Sequence, residues 1–157
     1  AQKWGFVPAS AWMEAADEAM DKEFDGEYDI WGGDIDPKAV AIARSNAEKA
    51  GVEDLVRFEV ADALSFHREE PYGKIVTNPP YGERIMEKKE AEDLYRGFGK
   101  AFRSLPDGWT LSLLSSHTEF ERTFGRNADR KRKLYNGMLK CDLFLYGKRG
   151  AQHEKKR

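Results

Sequence analysis

Apolar residues recur along this chain in two rhythms, and their alternation predicts strands interleaved with helices. From Pro8 to about Phe24, residues Trp12, Ala15, Ala16, Ala19 and Met20 fall at helical spacing, and Gly26 marks the stop. Tyr28 to Gly33 reads as a short strand running into Asp34-Ile35-Asp36-Pro37. There Asp36 suits a helix N-cap and Pro37 the first helical position. The helix predicted from Pro37 to Ala50 buries Val40, Ala43 and Ala47, and Gly51 ends it. Leu55 to Val60 is the next strand, finishing at Ala61-Asp62-Ala63, and Lys74 to Thr77 is another. A helix from about Ala91 to Leu105 sets Leu94, Phe98, Ala101 and Phe102 on one face. Trp109 to Ser115 reads as a buried strand, and Thr118 to Phe124 as a short helix. Last, Lys133-Leu134-Tyr135 and Met138 to Tyr146 flank Asn136-Gly137, the dipeptide that most strongly signals a hairpin.

Strands alternating with helices imply an α/β fold with a parallel sheet, and the closing hairpin adds an antiparallel edge. Ligands of such sheets bind beyond the carboxyl ends of the strands. Those ends carry Asp34, Asp62 and Asn78. With an adenosine-containing cofactor each has a job. Asp34 suits the two ribose hydroxyls, Ile35 the adenine face, Asp62 the adenine amino group, and the Ala63 backbone N–H a ring nitrogen. The rival reading is that Asp34 and Asp62 only cap loops. For Asp36 the capping role is preferred.

The octet Ile75-Val76-Thr77-Asn78-Pro79-Pro80-Tyr81-Gly82 carries the most chemistry. A buried strand stops there in a rigid turn that holds one amide and one aromatic ring. The arrangement suits methylation of an amino group conjugated to a flat ring, whose delocalised lone pair makes a poor nucleophile. The Asn78 side-chain oxygen and the Pro79 carbonyl can accept its two N–H bonds and turn the lone pair toward a methyl donor. Tyr81 can stack on the ring, while Pro80 stiffens the turn. The plainer alternative is a turn signal after a strand and nothing more.

The chain has 157 residues, enough for one sizeable core. Its 40% hydrophobic and 34% charged content predicts a soluble, cytoplasmic protein with no membrane partner. The single cysteine, Cys141, excludes an internal disulfide and sits in an apolar run suited to packing. Three scattered histidines give no zinc-like spacing, so no metal is expected. The net charge of −2 conceals an asymmetry: from Phe120 onward 12 Lys and Arg face 4 Asp and Glu, leaving 14 against 24 before it. A basic end on an acidic body suits a docking polyanion, with Arg130, Lys131, Arg132 and Lys133 as the candidate contacts. The competing reading is a run that only solubilises a sheet edge.

With these residues in view the chain resembles a class I S-adenosylmethionine-dependent methyltransferase. More narrowly, it is similar to the RNA guanine-N2 methyltransferases attached to a THUMP RNA-binding domain, a family often labelled N6-adenine-specific DNA methylase. The resemblance covers nearly the whole chain. It rests on Gln2-Lys3-Trp4, Gly33-Asp34-Ile35-Asp36-Pro37-Lys38-Ala39-Val40, Ala43-Arg44-Ser45-Asn46-Ala47, Ala50-Gly51-Val52, Asp62-Ala63, Thr77 to Arg84, and Arg132-Lys133-Leu134-Tyr135-Asn136-Gly137. Asn-Pro-Pro-Tyr is shared by DNA adenine, RNA guanine and protein glutamine methyltransferases, and the later Lys-Leu-Tyr-Asn-Gly block narrows the choice to the RNA group.

The resemblance implies S-adenosylmethionine as cofactor, ribosomal or transfer RNA as partner, and catalytic roles for Asn78, Pro79, Pro80 and Tyr81. It also implies a Rossmann-like sheet whose first strand and first helix, with their glycine-rich cofactor loop, are missing from this sequence. Residues 1–147 therefore read as the C-terminal part of a catalytic domain, and 148–157 as a disordered basic tail. Such a fragment is expected to bind cofactor poorly by itself. DNA adenine-N6 methylation and an inactive RNA-binding fragment are the alternatives.

Overall fold

The computed structural model describes residues 4–23, 26, 29–82 and 85–147. In chain order the elements are α1 (Ala9–Asp21), β1 (Ile30–Asp34), α2 (Pro37–Ala50), β2 (Val56–Val60), a 3-10 turn (Ala63–Ser65), β3 (Tyr72–Thr77), α3 (Ile85–Ser104), β4 (Gly108–Ser115), α4 (Phe120–Phe124), β5 (Arg130–Asn136) and β6 (Leu139–Gly147). The strand–helix alternation and the closing hairpin are as the sequence predicts. The tail at 148–157 and the motif residues Gln2, Lys3, Glu83 and Arg84 lie outside the described residues.

The strands form two sheets. β1 pairs with β2 in parallel, and a second sheet runs in the order β3-β4-β6-β5, with β3 parallel to β4 and the remaining pairs antiparallel. Among the described residues, neither β1 nor β3 is paired on its other edge. A cleft of about 720 Å³ opens there, lined from one side by Trp31, Gly32 and Gly33 and from the other by Gly73, Ile75 and Thr77. Tyr72 and Val76, on the open β3 strand, are 76% and 82% exposed.

Local chemistry explains the elements that position the strand ends. Asp36 caps α2 by accepting from the Lys38 N–H at 2.8 Å, Pro37 follows at the first helical position, and Gly51 closes the helix. Such a cap is worth about 1 kcal/mol. Helix α3 starts six residues before the predicted Ala91, because Ile85 to Glu90 are good helix formers whose pattern carries no clear period. The β5 strand starts at Arg130 rather than Lys133, since an edge strand tolerates a run of cations. Helix α1 forms as expected, yet none of its residues is buried.

The core lies between α3, α4 and the four-stranded sheet. Tyr95, Phe98 and Phe102 of α3 meet Leu111 and Leu113 of β4, Phe120 and Phe124 of α4, and Phe144 and Tyr146 of β6. Phe120 packs against Phe144 with ring centroids 4.5 Å apart and against Tyr95 at 4.9 Å. Aromatic pairs of this kind add about 0.5–1.5 kcal/mol each beyond their buried area. Trp109 anchors the start of β3: its Nε1–H donates to the Glu70 carbonyl at 2.8 Å, and its ring fills the space where a Cβ on Gly73 would lie. Cys141 is buried, as its apolar setting predicts.

Candidate functional site

Three chain segments converge at one end of the cleft. Gly33 from β1, Ala61, Asp62 and Ala63 from the loop after β2, and Thr77 and Pro79 from the end of β3 line it together. This is the carboxyl-end constellation expected of a parallel sheet. The Ala61 N–H donates to the Asp34 carbonyl at 3.0 Å, which ties the first two strand ends to each other.

Both acidic residues cap loops. Asp34 Oδ1 accepts from the Asp36 N–H at 2.8 Å, and Asp62 Oδ1 accepts from the Leu64 N–H at 2.9 Å to start the 3-10 turn. The loop-capping alternative thus describes what these carboxylates do within the protein. It does not exhaust them, because a carboxylate offers about four acceptor positions and the caps use one oxygen of each. Ile35 is 70% exposed beside Asp34, an apolar side chain with no covering partner among the described residues. The Asp34 and Asp62 carboxylates each keep one oxygen outside the cap bond.

The turn after β3 is built rigidly. Pro79 and Pro80 restrict it, and Gly82 ends it at φ +68°, a backbone angle that side chains with a Cβ rarely adopt. The Tyr81 hydroxyl donates to Asn78 Oδ1. Asn78 Oδ1 is therefore held by a donor at the position where the target amine is expected to donate. Burial raises the Tyr81 hydroxyl pKa, with Asn136, Cys141 and Asn78 as its polar neighbours. The tip of the β5–β6 hairpin thus reaches the Asn-Pro-Pro-Tyr turn, and Gly137 at φ +63° makes that tip tight. In the sequence Asn136 reads as a hairpin residue and as part of the Lys-Leu-Tyr-Asn-Gly block, and no spacing rule brings it to Tyr81.

Tyr95 was missed as well. Its hydroxyl donates to the Pro80 carbonyl at 2.6 Å from a ring that is 1% exposed. The signal was present, since Ala91, Tyr95, Phe98 and Phe102 form one helical stripe and a hydroxyl on a core-facing stripe needs a partner.

Strand alternation splits the basic run. Residues 130–136 are all exposed on the sheet's edge strand. Arg130 and Arg132 stand opposite Leu145 and Leu143, on the face that also carries Asn136 and Cys141. Lys131 and Lys133 stand opposite Phe144 and Asp142, on the other face. Lys131 Nζ is 2.6 Å from Glu121 Oε2. Burial works to raise the Glu121 carboxyl, but Lys131 and the Ala128 N–H outweigh it and hold the group below the usual range. The four cations therefore do not act as one cluster, and only the arginine pair shares a face with the turn's neighbours.

Parallel strands with acidic residues at two ends and Asn-Pro-Pro-Tyr at a third define a class I methyltransferase domain. Residues 3–144 match the family model described as RMKL-like, methyltransferase domain. The YpsC protein of Bacillus subtilis (strain 168) is 39% identical over 156 residues, covering 99% of this chain and 40% of its own length. The ribosomal RNA large subunit methyltransferase K/L of Shewanella baltica (strain OS185) is 36% identical over 149 residues, 92% of this chain and 21% of that protein. The crystal structure of SMU.472 complexed with SAH superposes with a TM-score of 0.82 at 39% identity, covering 94% of this chain and 40% of that one. The chain belongs to the RMKL-like methyltransferase domain family and spans well under half the length of these relatives.

Proposed function

We propose that the protein carrying this chain is an S-adenosylmethionine-dependent RNA methyltransferase acting on the exocyclic N2 amino group of guanine in ribosomal or transfer RNA. The observation that carries this reading is the rigid turn at the end of β3: Thr77 and Pro79 line the cleft that also holds Asp62 and Ala63, and next to them in the chain the Asn78 amide is bonded to Tyr81. Bound S-adenosylmethionine supplies an electrophilic methyl group. Asn78 Oδ1 and the Pro79 carbonyl accept the two N–H bonds of the amine and fix its lone pair toward that methyl. With the cofactor bound, that lone pair would take the methyl group, sulfur would keep the S–C electron pair, and the methylated amine would release a proton to water. A guanine N2 inside a stem is stacked away, so the base enters unpaired or flipped. RNA binding draws on the exposed arginines of β5 and on a THUMP domain elsewhere in the protein.

The test is product analysis. The intact protein, given labelled S-adenosylmethionine and RNA, is expected to yield N2-methylguanosine on nucleoside digestion. Label in N6-methyladenine of DNA instead would overturn the substrate assignment.

Two substitutions probe the parts. Asp34→Ala is expected to weaken cofactor binding by about 1.5–3 kcal/mol, the worth of hydrogen bonds to a charged group, in titration calorimetry. Unchanged affinity would leave Asp34 with its loop-capping bond to Asp36 alone. Tyr81→Ala removes a stacking platform worth about 1–3 kcal/mol per base and should lose most activity. Tyr81→Phe should keep most of it, because the ring survives and the incoming amine no longer has a hydroxyl to displace from Asn78. Equal damage from both would place the function in the hydroxyl and defeat the stacking account.

A further inference from the structure

A buried polar chain runs from α3 and the β4–α4 loop to the middle of the catalytic turn. Its direction follows from proton counting. The Pro80 carbonyl can only accept, so the single Tyr95 hydroxyl proton goes to it, at 2.6 Å. Ser115 Oγ lies 3.2 Å from the Tyr95 oxygen and must then be the donor there. Ser115 Oγ in turn accepts from the His117 backbone N–H at 3.1 Å. The sequence of bonds is therefore His117 N–H to Ser115, Ser115 to Tyr95, and Tyr95 to Pro80, each donor polarised by the one before it.

The base of this chain is fixed too. His117 is buried, and its Nδ1 accepts from the Glu119 N–H at 3.1 Å, which puts the proton of the neutral ring on Nε2. His117 Nε2 lies 3.4 Å from Glu92 Oε1, outside hydrogen-bond geometry. The Tyr95 ring is held edge-on by His117 at 5.6 Å and by Phe120 at 4.9 Å. Burial raises the Tyr95 pKa, so its hydroxyl keeps the proton it donates.

Neighbouring carbonyls in a Pro-Pro turn point in different directions. Tying the Pro80 carbonyl inward sets the plane of its peptide, and no protein donor meets the Pro79 carbonyl among the described residues. We propose that Tyr95 is a positioning residue for methyl transfer: its bond to the Pro80 carbonyl, backed by Ser115 and His117, fixes the turn so that the Pro79 carbonyl and Asn78 Oδ1 face the amine together. The role rests on the proposed function for its chemistry, though not on which nucleobase is the target.

The experiment is steady-state kinetics on the intact protein, reading methyl transfer from labelled cofactor to RNA, with DNA as a parallel substrate. Tyr95→Phe keeps the ring and its aromatic contacts and removes the hydroxyl alone. Misplacement of a reacting group by about 1 Å costs on the order of 10²-fold, so kcat should fall roughly 10- to 100-fold while KM for nucleic acid and cofactor stay within about twofold. Ser115→Ala, which loosens the same hydroxyl from behind, should lower kcat in the same direction by less. A kcat within about twofold of the parent overturns the proposal, and so does a loss that appears in KM. If Tyr95→Phe does not fold, Ser115→Ala decides by the same criterion. A parent that methylates DNA and not RNA overturns the substrate assignment and leaves the Tyr95 comparison standing on DNA. A parent inactive on both overturns both readings.

Discussion

Asn78→Ala is expected to reduce kcat for methyl transfer by about 10²–10³-fold, the usual cost of deleting one preorganised polar group at a reacting centre. The amine to be methylated is conjugated with its ring and becomes nucleophilic only when its two N–H bonds are drawn out of the ring plane. Under the proposed function Asn78 Oδ1 and the Pro79 carbonyl are the two acceptors, and alanine leaves the carbonyl to act alone. Cofactor affinity should stay within a few-fold, because Asp34, Asp62 and Ala63 come from other strand ends. Folding should be little affected. Asn78 is exposed, and its side chain bonds only the neighbouring Tyr81 hydroxyl among the described residues, so the change should stay within about 0.5 kcal/mol of stability. Near-parental turnover of a folded Asn78→Ala protein would remove the amide from the mechanism.

The elements were legible in the sequence wherever a local rule governs them. Helix α2 runs from Pro37 to Ala50, as read from Asp36, Pro37 and Gly51, because capping and glycine termination act within four residues. The hairpin at Asn136-Gly137 and the strand ends at Asp34 and Thr77 were legible for the same reason. What the sequence concealed depends on contacts between distant residues. Tyr95 and Pro80 are 15 positions apart and Tyr95 and Ser115 are 20, so their chain exists only once α3 lies on β4. The approach of Asn136 to Tyr81 has the same cause. The double sheet was concealed in a different way: the strands are recognisable from their own patterns, though β3 and β5 begin two and three residues earlier than read, while pairing across the β1–β3 cleft is not a local property.

Replacing Arg130, Lys131, Arg132 and Lys133 with alanine is expected to weaken RNA binding at low salt and to flatten the salt dependence. Each phosphate neutralised contributes about 0.9 to the slope of log affinity against log salt on duplex and about 0.7 on single strands. Four equivalent contacts would remove about 3–4 units. They are not equivalent. Lys131 is engaged with Glu121, which holds it protonated and already compensated, and Lys133 stands opposite Asp142. Arg130 and Arg132 stand together on the face shared with Asn136, whose side chain neighbours Tyr81. The arginine pair should therefore account for about 2 units of the slope, and the lysine pair for about 1 or less. Filter binding at several salt concentrations on the Arg130→Ala/Arg132→Ala and Lys131→Ala/Lys133→Ala proteins would resolve this, with cofactor affinity as the control that should not move. If the run serves only to keep an edge strand from pairing with another molecule, both double variants will bind RNA with the parental slope and scatter more light as they aggregate. A slope carried by the lysines instead would move the docking surface to the opposite face of the sheet, away from the turn that holds Asn78.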